Sequence, residues 1–295
     1  MPALNLSGLQ VVIASGDKRH LILAQELQAM GAEVFLYGFS AASGKLYGLF
    51  KEGLPLKADV IILPLTGVAA DGTIPARAET RKINFIDLKA LLKPGVLIIG
   101  GNLPPKYRHE LHNLQVKYLP ANEIAELAIL NAIPTAEGAL AFAIDNAGIT
   151  IFDSEVVITG YGRCARPLAR CMKALGAKVT IIARKREALA AAKTEGFKTG
   201  TFQELQTYVK RADFIFNTVP ALVLGQTVLS AARPDVLIVD IASAPGGTDF
   251  AAAKDLGLKA YLLPGIPGKT APETAGKILA GVYAEYLSLH KKGGI

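Results

Sequence analysis

The chain has 295 residues, of which 51% are hydrophobic and 19% charged, with a formal charge of +7 and only two cysteines. Such totals exclude disorder and leave room for two domains with a core each. The opening MPALNLSGLQ lacks a signal-peptide pattern and no apolar run approaches the roughly 18 to 20 residues of a membrane span, so a cytoplasmic protein with no membrane contact is expected.

The basic excess suits an anionic substrate and cofactor. Nucleic acid is not expected, because no helix carries a dense basic stripe interleaved with aromatics. A homo-oligomer is left open.

The first half reads as a parallel α/β layer of about five strands. Leu9–Ala14 is a buried strand, Ser15, Gly16 and Asp17 its turn, and His20–Met30 a helix ended by Gly31. Asp17, Lys18 and Arg19 at that helix start either hold a carboxylate or are an N-cap followed by surface cations. Val34–Tyr37 follows as a strand, and Ala58–Leu65 as another that delivers the loop TGVAADGTIPA, beginning at Thr66. A strand end feeding a loop of small residues is where α/β proteins place ligands, which makes Thr66 a substrate-binding candidate. Leu88–Leu92 suggests a short helix, with strands at Val96–Ile99 and Val116–Tyr118.

Residues 122–146 read as helix, broken or bent near Pro134, with Thr135 able to cap a new start. This helix connects two domains and is expected to face the cleft between them. Asn131, Thr135 and Glu137 are then either substrate contacts or capping and packing residues.

The strongest signal lies between Glu155 and Lys185. An apolar strand runs into Gly160, Gly162 and Ala165, the G-x-G-x-x-A spacing, and then into a helix and a second strand, Val179–Ile182. Gly160 permits the tight turn, Gly162 lets the backbone approach a pyrophosphate, and Arg163 and Cys164 stand at the helix start that meets it. The second strand ends in Ala183, Arg184, Lys185 and Arg186, without the carboxylate that would bond the adenosine ribose. NADP is therefore expected over NAD. Cys164 and Cys171 share one face of the predicted helix without C-x-x-C spacing or a His cluster, and read as buried small apolar side chains; no metal site is expected.

Three further strands are expected at Phe214–Asn217, Val236–Ile241 and Lys259–Leu263. Their ends deliver Asn217, Thr218, Val219 and Pro220, then Ala242 and Ser243, then a Gly- and Pro-rich loop containing Lys269, to one rim. Pro272 and Glu273 open a long amphipathic helix that has no slot left in that sheet and is expected to return to the first domain. The fold class is thus α/β with two Rossmann-like parallel-sheet domains. Residues 1–134 with 272–292 form the substrate and catalytic domain, and 135–271 the NADP-binding domain, its connecting helix at 135–147.

None of the four histidines lies at these later strand ends, so a His-assisted hydroxy-acid oxidation is not expected. A substrate whose oxidation needs little base assistance, such as a dihydro ring that becomes aromatic, fits better.

Over nearly its full length the chain resembles the A-subunit family of bacterial dipicolinate synthases. VVIASGDKRHL, ILPLTGVAADGTI, NAIPTAEGAL, ITGYGRCARPLAR, NTVPALVLGQTVL, SAPGGTDF and LPGIPGKTAPETAGKIL carry the resemblance. It implies oxidation of a dihydrodipicolinate, formed from 4-hydroxy-tetrahydrodipicolinate, with NADP as cofactor. It also implies a partner, the flavoprotein-like B subunit, in the mother cell of a sporulating bacterium. The small dicarboxylate would meet Arg19 or Lys269, with Asp17 or Glu137 as proton acceptor. The family is expected to carry Arg between the Ser and the Pro-Gly-Gly, where this chain has Ala244. Two alternatives stand beside this: an NADP oxidoreductase of the shikimate dehydrogenase or glutamyl-tRNA reductase type, and a regulatory NADP-binding subunit without turnover.

Overall fold

Short β-branched runs flanked by glycine turns alternate with helical stretches along the whole chain, and each run becomes a strand of one of two parallel sheets. The computed structural model describes residues 4–40, 50–74 and 80–294. The loop expected from Thr66 to Ala76 lies outside the described residues at positions 75 and 76. The described chain divides into two compact units, Met1–Leu130 with Ala271–Ile295, and Asn131–Thr270.

In the first unit β1 (Gln10–Ala14), α1 (Lys18–Ala29), β2 (Glu33–Tyr37), β3 (Lys51–Glu52) and β4 (Val60–Ile62) come first. A two-residue antiparallel pair follows, β5 (Thr73–Ile74) with β6 (Ile83–Asn84). Then come β7 (Leu97–Gly100), α2 (Pro105–Asn113), β8 (Lys117–Pro120) and α3 (Ala125–Leu130). The sheet has six strands in the order β3-β2-β1-β4-β7-β8. β1 lies at its centre, with Val12 facing Phe35 on one side and Ile61 on the other. From Val11 to Ala14 it is fully buried, as a parallel strand covered on both faces should be.

The second unit opens with α4 (Ala132–Ala147) and continues through β9 (Glu155–Thr159), α5 (Ala165–Ala174), β10 (Lys178–Ile182), α6 (Arg186–Thr194) and β11 (Lys198–Gly200). Next are α7 (Leu205–Val209), β12 (Phe214–Asn217), α8 (Gln226–Leu229), β13 (Leu237–Asp240), α9 (Phe250–Asp255), β14 (Lys259–Leu262) and α10 (Ile266–Thr270). Its six strands run in the order β11-β10-β9-β12-β13-β14, all parallel, which is a doubly wound dinucleotide-type sheet.

The last helix, α11 (Pro272–Lys291), belongs to the first unit, where Leu279, Tyr283 and Leu287 join the core beneath α1. Gly276 makes that crossing close, since a β-carbon on it would lie 2.5 Å from Ile22 Cβ.

Several details differ from expectation. The sheet of the first unit gains the edge strand β3, and β11 extends the second; both are too short and polar to show a period. The helix expected at Leu88–Leu92 is a 3₁₀ turn over Phe85–Leu91, started by an Asn84 capping box. The connecting segment breaks at Asn131, not Pro134, which sits in the first turn of α4 where its missing N–H is harmless. Thr135 does not cap: its hydroxyl donates to the Asn131 carbonyl at 2.7 Å.

Ala125–Ala147, the stretch that α3 and α4 share, is long and apolar enough by length and composition to cross a membrane, against the expectation that no run approaches this. The face of α4 bearing Ala136, Ala139 and Ala143 is buried in the core of the second unit, as in a core helix.

Candidate functional site

Strand order in the second unit reverses at β9 and β12, and ligands of such sheets bind outside the carboxyl ends of strands at that point. A cavity of about 540 Å³ lies there. One side is the turn after β9, with Gly160, Tyr161 and Gly162; another is the end of β10, with Ala183, Arg184 and Lys185. Phe202, Val219, Ala221 and Val223 give it apolar walls, so a flat ring fits inside with charged groups at the rim.

The two glycines have different reasons to be glycine. Gly160 has φ +87°, and a β-carbon on it would lie 2.5 Å from Thr218 Oγ1. The fold itself requires it. Gly162 has no such φ, and among the described residues nothing lies within 4 Å of its would-be β-carbon. Protein packing gives no reason for its bareness, whereas close approach of a pyrophosphate does.

Lys185 is the N-cap residue of α6, and no side chain caps that helix start. Arg184, Lys185 and Arg186 are all exposed there. Cations at a helix N-terminus oppose its dipole, so three around an uncapped start fit an arriving anion. The acidic residue of that turn is Glu187, inside the helix.

Arg163 is exposed and Cys164 is the N-cap residue of α5, with no capping hydrogen bond. Contrary to expectation, Cys164 and Cys171 are only partly buried, because Cys164 precedes the helix instead of lying on its packed face. Burial still pushes the Cys164 thiol up against the nearby Arg163 charge, and burial followed by the Glu137 charge does the same to Cys171. Neither is a ready nucleophile at neutral pH. Among the described residues no group of His, Cys, Asp and Glu is arranged to hold a metal ion.

Beneath the rim lies a buried polar network. Asn217 Oδ1 accepts from Thr159 Oγ1 at 2.6 Å and the Val219 amide at 3.0 Å, and its Nδ2 donates to Asp240 at 2.9 Å. Thr218 Oγ1 donates to the Thr159 carbonyl at 2.7 Å. Pro220 is exposed beyond them, as is Ser243, while Ala242 is buried and donates its amide to Asp240 at 3.0 Å. Asp240 was not anticipated. The signal available was an acid ending an otherwise apolar strand, LIVD.

In the first unit the turns after β1 and β4 leave the carboxyl ends of neighbouring strands. Ser15 is buried with φ 68°, and Asp17 caps α1 in a capping box with His20. Arg19 holds Asp17 through Nε and Nη2, the latter at 2.6 Å, and both side chains are largely buried. Burial disfavours the Asp17 charge, but hydrogen bonds from His20 and Arg19 outweigh it and hold the carboxyl far below the usual carboxylate range. Asp17 is thus a helix cap and a clamp for Arg19, and a poor proton acceptor. Thr66 is exposed in the turn from Pro64 to Gly67, which is closed by the Gly67 amide donating to Pro64 O at 2.9 Å.

The remaining candidates lie in the second unit. Asn131 has a buried Oδ1 without a hydrogen-bond partner among the described residues, and Glu137 is exposed on α4. Lys269 is exposed on α10, whose Ile266 and Thr270 pack against Gly138 of α4.

Comparison with known proteins agrees with this geometry. Residues 10–121 match the family of the N-terminal domain of the dipicolinate synthase A subunit, and residues 137–245 match the NAD binding domain of the D-isomer specific 2-hydroxyacid dehydrogenases. The dipicolinate synthase A subunit of Bacillus subtilis (strain 168) is 35% identical over 288 residues, spanning 96% of this chain and 97% of that protein. The crystal structure of the dipicolinate synthase A subunit from Bacillus halodurans superposes with a TM-score of 0.87 at 32% identity, over 96% of this chain and 99% of that one. The crystal structure of the corresponding dipicolinate synthase chain from Bacillus subtilis gives a TM-score of 0.87 at 33% identity, over 98% and 99%. The chain belongs to the A-subunit family of dipicolinate synthases, and its second unit is a nicotinamide-dinucleotide-binding domain of the dehydrogenase type.

Proposed function

We propose that the chain oxidises a dihydrodipicolinate to dipicolinate with NADP⁺, acting with a flavoprotein-like B subunit in the cytoplasm of the mother cell of a sporulating bacterium. The observation that carries this is the cavity at Gly160 and Gly162, rimmed by Arg184 and Lys185 at an uncapped helix start, in a chain of this family. The residues fit the cofactor: the bareness of Gly162 has no packing reason, and the apolar walls suit an adenine ring.

Bound NADP⁺ supplies the hydride acceptor. Gly160, whose amide donates to the Ile182 carbonyl at 2.7 Å, supplies the turn; Gly162, Arg163 and Cys164 present backbone N–H groups to its pyrophosphate, and Arg184 and Lys185 take the ribose phosphate. Asn217 to Pro220 with Ala242 and Ser243 receive the nicotinamide half. The substrate is formed from 4-hydroxy-tetrahydrodipicolinate by loss of water. It gives up one hydride and one proton, and the ring becomes aromatic, which lowers the demand on a base. The proton leaves to solvent or to exposed Glu137. With Ala244 uncharged, the second unit offers Lys269 to a substrate carboxylate; the first unit's candidate cation is Arg19, whose Nε and Nη2 are engaged by Asp17. In the second unit Asn131 and Thr135 are the candidate neutral polar contacts, and in the first unit Thr66.

NADP⁺ reduction by the purified chain, fed freshly generated 4-hydroxy-tetrahydrodipicolinate with and without the B subunit, tests this. Turnover by the chain alone is expected. Binding of NADP⁺ with no turnover under either condition would leave the alternative of a regulatory subunit, which the absence of a histidine at the later strand ends favours.

A further inference from the structure

Asp240 ends β13 fully buried, and among the described residues it forms no ion pair. Its charge is met instead by four neutral donors. Oδ2 accepts from Asn217 Nδ2 at 2.9 Å, from the Gly247 amide at 2.8 Å and from Thr248 Oγ1 at 2.8 Å, and Oδ1 accepts from the Ala242 amide. A buried carboxylate without a cation is costly unless hydrogen-bond donors converge on it, as four do here.

The donors identify what is being held. Ala242, Gly247 and Thr248 belong to the loop after β13, and Asn217 ends the neighbouring strand β12, where it also fixes the Val219 amide and carbonyl. The loop closes down on this anchor through glycines. A β-carbon on Gly246 would lie 2.8 Å from Asp240 Oδ2, and one on Gly247 would lie 2.3 Å from the Ala221 carbonyl. The Gly247 carbonyl in turn accepts from the amides of Val223 and Leu224, each at 2.9 Å. One carboxylate thus ties together the two loops that leave β12 and β13, and does so from below.

We infer that Asp240 is a positioning residue for the nicotinamide half of the cofactor site: it holds the loops after β12 and β13 in the one arrangement that receives that ring, without touching it. This rests on the reading of the Gly160 crevice as a dinucleotide site. The adenosine half is formed chiefly by the Gly160 turn, the end of β10 and Phe202, and shares with the anchored loop only the wall of Val219, Ala221 and Val223.

Asp240→Asn keeps the volume but places an amide against donors, and Thr248→Val removes a single donor. Affinities of the full chain and both variants for NADP⁺ and for adenosine 2′,5′-bisphosphate, measured by calorimetry, separate the two halves of the site. Asp240→Asn is expected to weaken NADP⁺ by about tenfold or more and Thr248→Val by less, the loss of hydrogen bonds to a charged group, while the adenosine probe, which meets only one wall of the anchored loops, weakens by a clearly smaller factor. Equal weakening of both ligands would assign Asp240 a merely structural role and overturn the inference, as would unchanged NADP⁺ affinity. If Asp240→Asn does not fold, Thr248→Val decides by the same comparison. If the wild-type chain prefers NAD⁺ and ADP, that pair is used, so the phosphate assignment fails separately. A wild-type chain that binds neither dinucleotide overturns both.

Discussion

Gly160 and Thr218 stand so close across the β9–β12 edge that a β-carbon on the glycine would lie 2.5 Å from the threonine Oγ1. Two residues further on, Gly162 faces open space. The fingerprint therefore contains one glycine required by the fold and one whose reason lies outside the protein. Gly160→Ala, strained at φ +87°, is expected to cost about 1–3 kcal/mol of stability, from the left-handed backbone and the overlap with Thr218. Gly162→Ala is expected to stay within about 0.5 kcal/mol of the wild type yet lose dinucleotide affinity by about tenfold. Urea unfolding and calorimetry on the same samples check both, and normal NADP⁺ binding by Gly162→Ala would remove the pyrophosphate from this turn.

The proposed preference for NADP⁺ rests on the side chains at the start of α6. Replacing both Arg184 and Lys185 by Ala should weaken NADP⁺ by about ten- to a hundredfold, the range for hydrogen bonds to a charged phosphate, and NAD⁺ by less than about threefold. Raising the salt concentration should narrow the gap between the two dinucleotides in the wild type, because these cations are exposed. Equal losses for NADP⁺ and NAD⁺ in the double variant would count against a ribose phosphate at this helix start.

Much of this was legible in the sequence because the second unit follows rules that act locally. The glycine spacing, the buried strands and the missing acid after Ile182 are readable in a window of about thirty residues. What was not legible depends on which side chains meet, whether near in sequence or far. Asp17 looks like a base until Arg19 and His20 are seen to consume its lone pairs. Asp240 looks like a strand terminus until Asn217, Gly247 and Thr248 converge on it. The break at Asn131 was misplaced because proline in a first helical turn interrupts nothing.

Asp17 makes a prediction in pH. Its folded-state carboxyl lies far below the usual value, so its stabilising contribution is complete above the unfolded value of about 3.9 and is lost as pH falls toward the folded one. Asp17→Asn preserves a good N-cap but leaves Arg19, a buried residue with 8% exposure, without its counter-charge. A loss of about 2 kcal/mol at pH 7 is expected, shrinking as pH drops below about 4. Unfolding by urea across pH 3 to 7 checks this. A constant difference between the two proteins over that range would mean that the ion pair does not account for it. The same variant should leave the pH dependence of turnover between pH 5 and 8 in place, since a carboxyl this acidic has no proton to exchange there.

The C-terminal helix holds two glycines that should respond in opposite directions to the same substitution. Gly276 packs against α1, where a β-carbon would lie 2.5 Å from Ile22 Cβ and 2.7 Å from the Arg19 carbonyl, and neither is the free end of a flexible side chain. Gly281, on the exposed face of the same helix, has nothing within 4 Å. Replacing glycine by alanine inside a helix gains about 1 kcal/mol of propensity wherever the methyl group has room. Gly281→Ala is therefore expected to stabilise the protein by about 0.5–1 kcal/mol. Gly276→Ala has the same propensity gain but must push α11 away from α1, and a net loss of about 1–2 kcal/mol is expected once the overlap is included. Because α1 also carries Asp17 and Arg19, this displacement should reach the first unit's candidate site, whereas Gly281→Ala should not. Urea midpoints give the stabilities. Amide hydrogen exchange in α1 gives the location, with faster exchange expected for Gly276→Ala alone. Equal midpoints for the two variants would mean that the α1–α11 crossing is looser than the 2.5 Å approach implies.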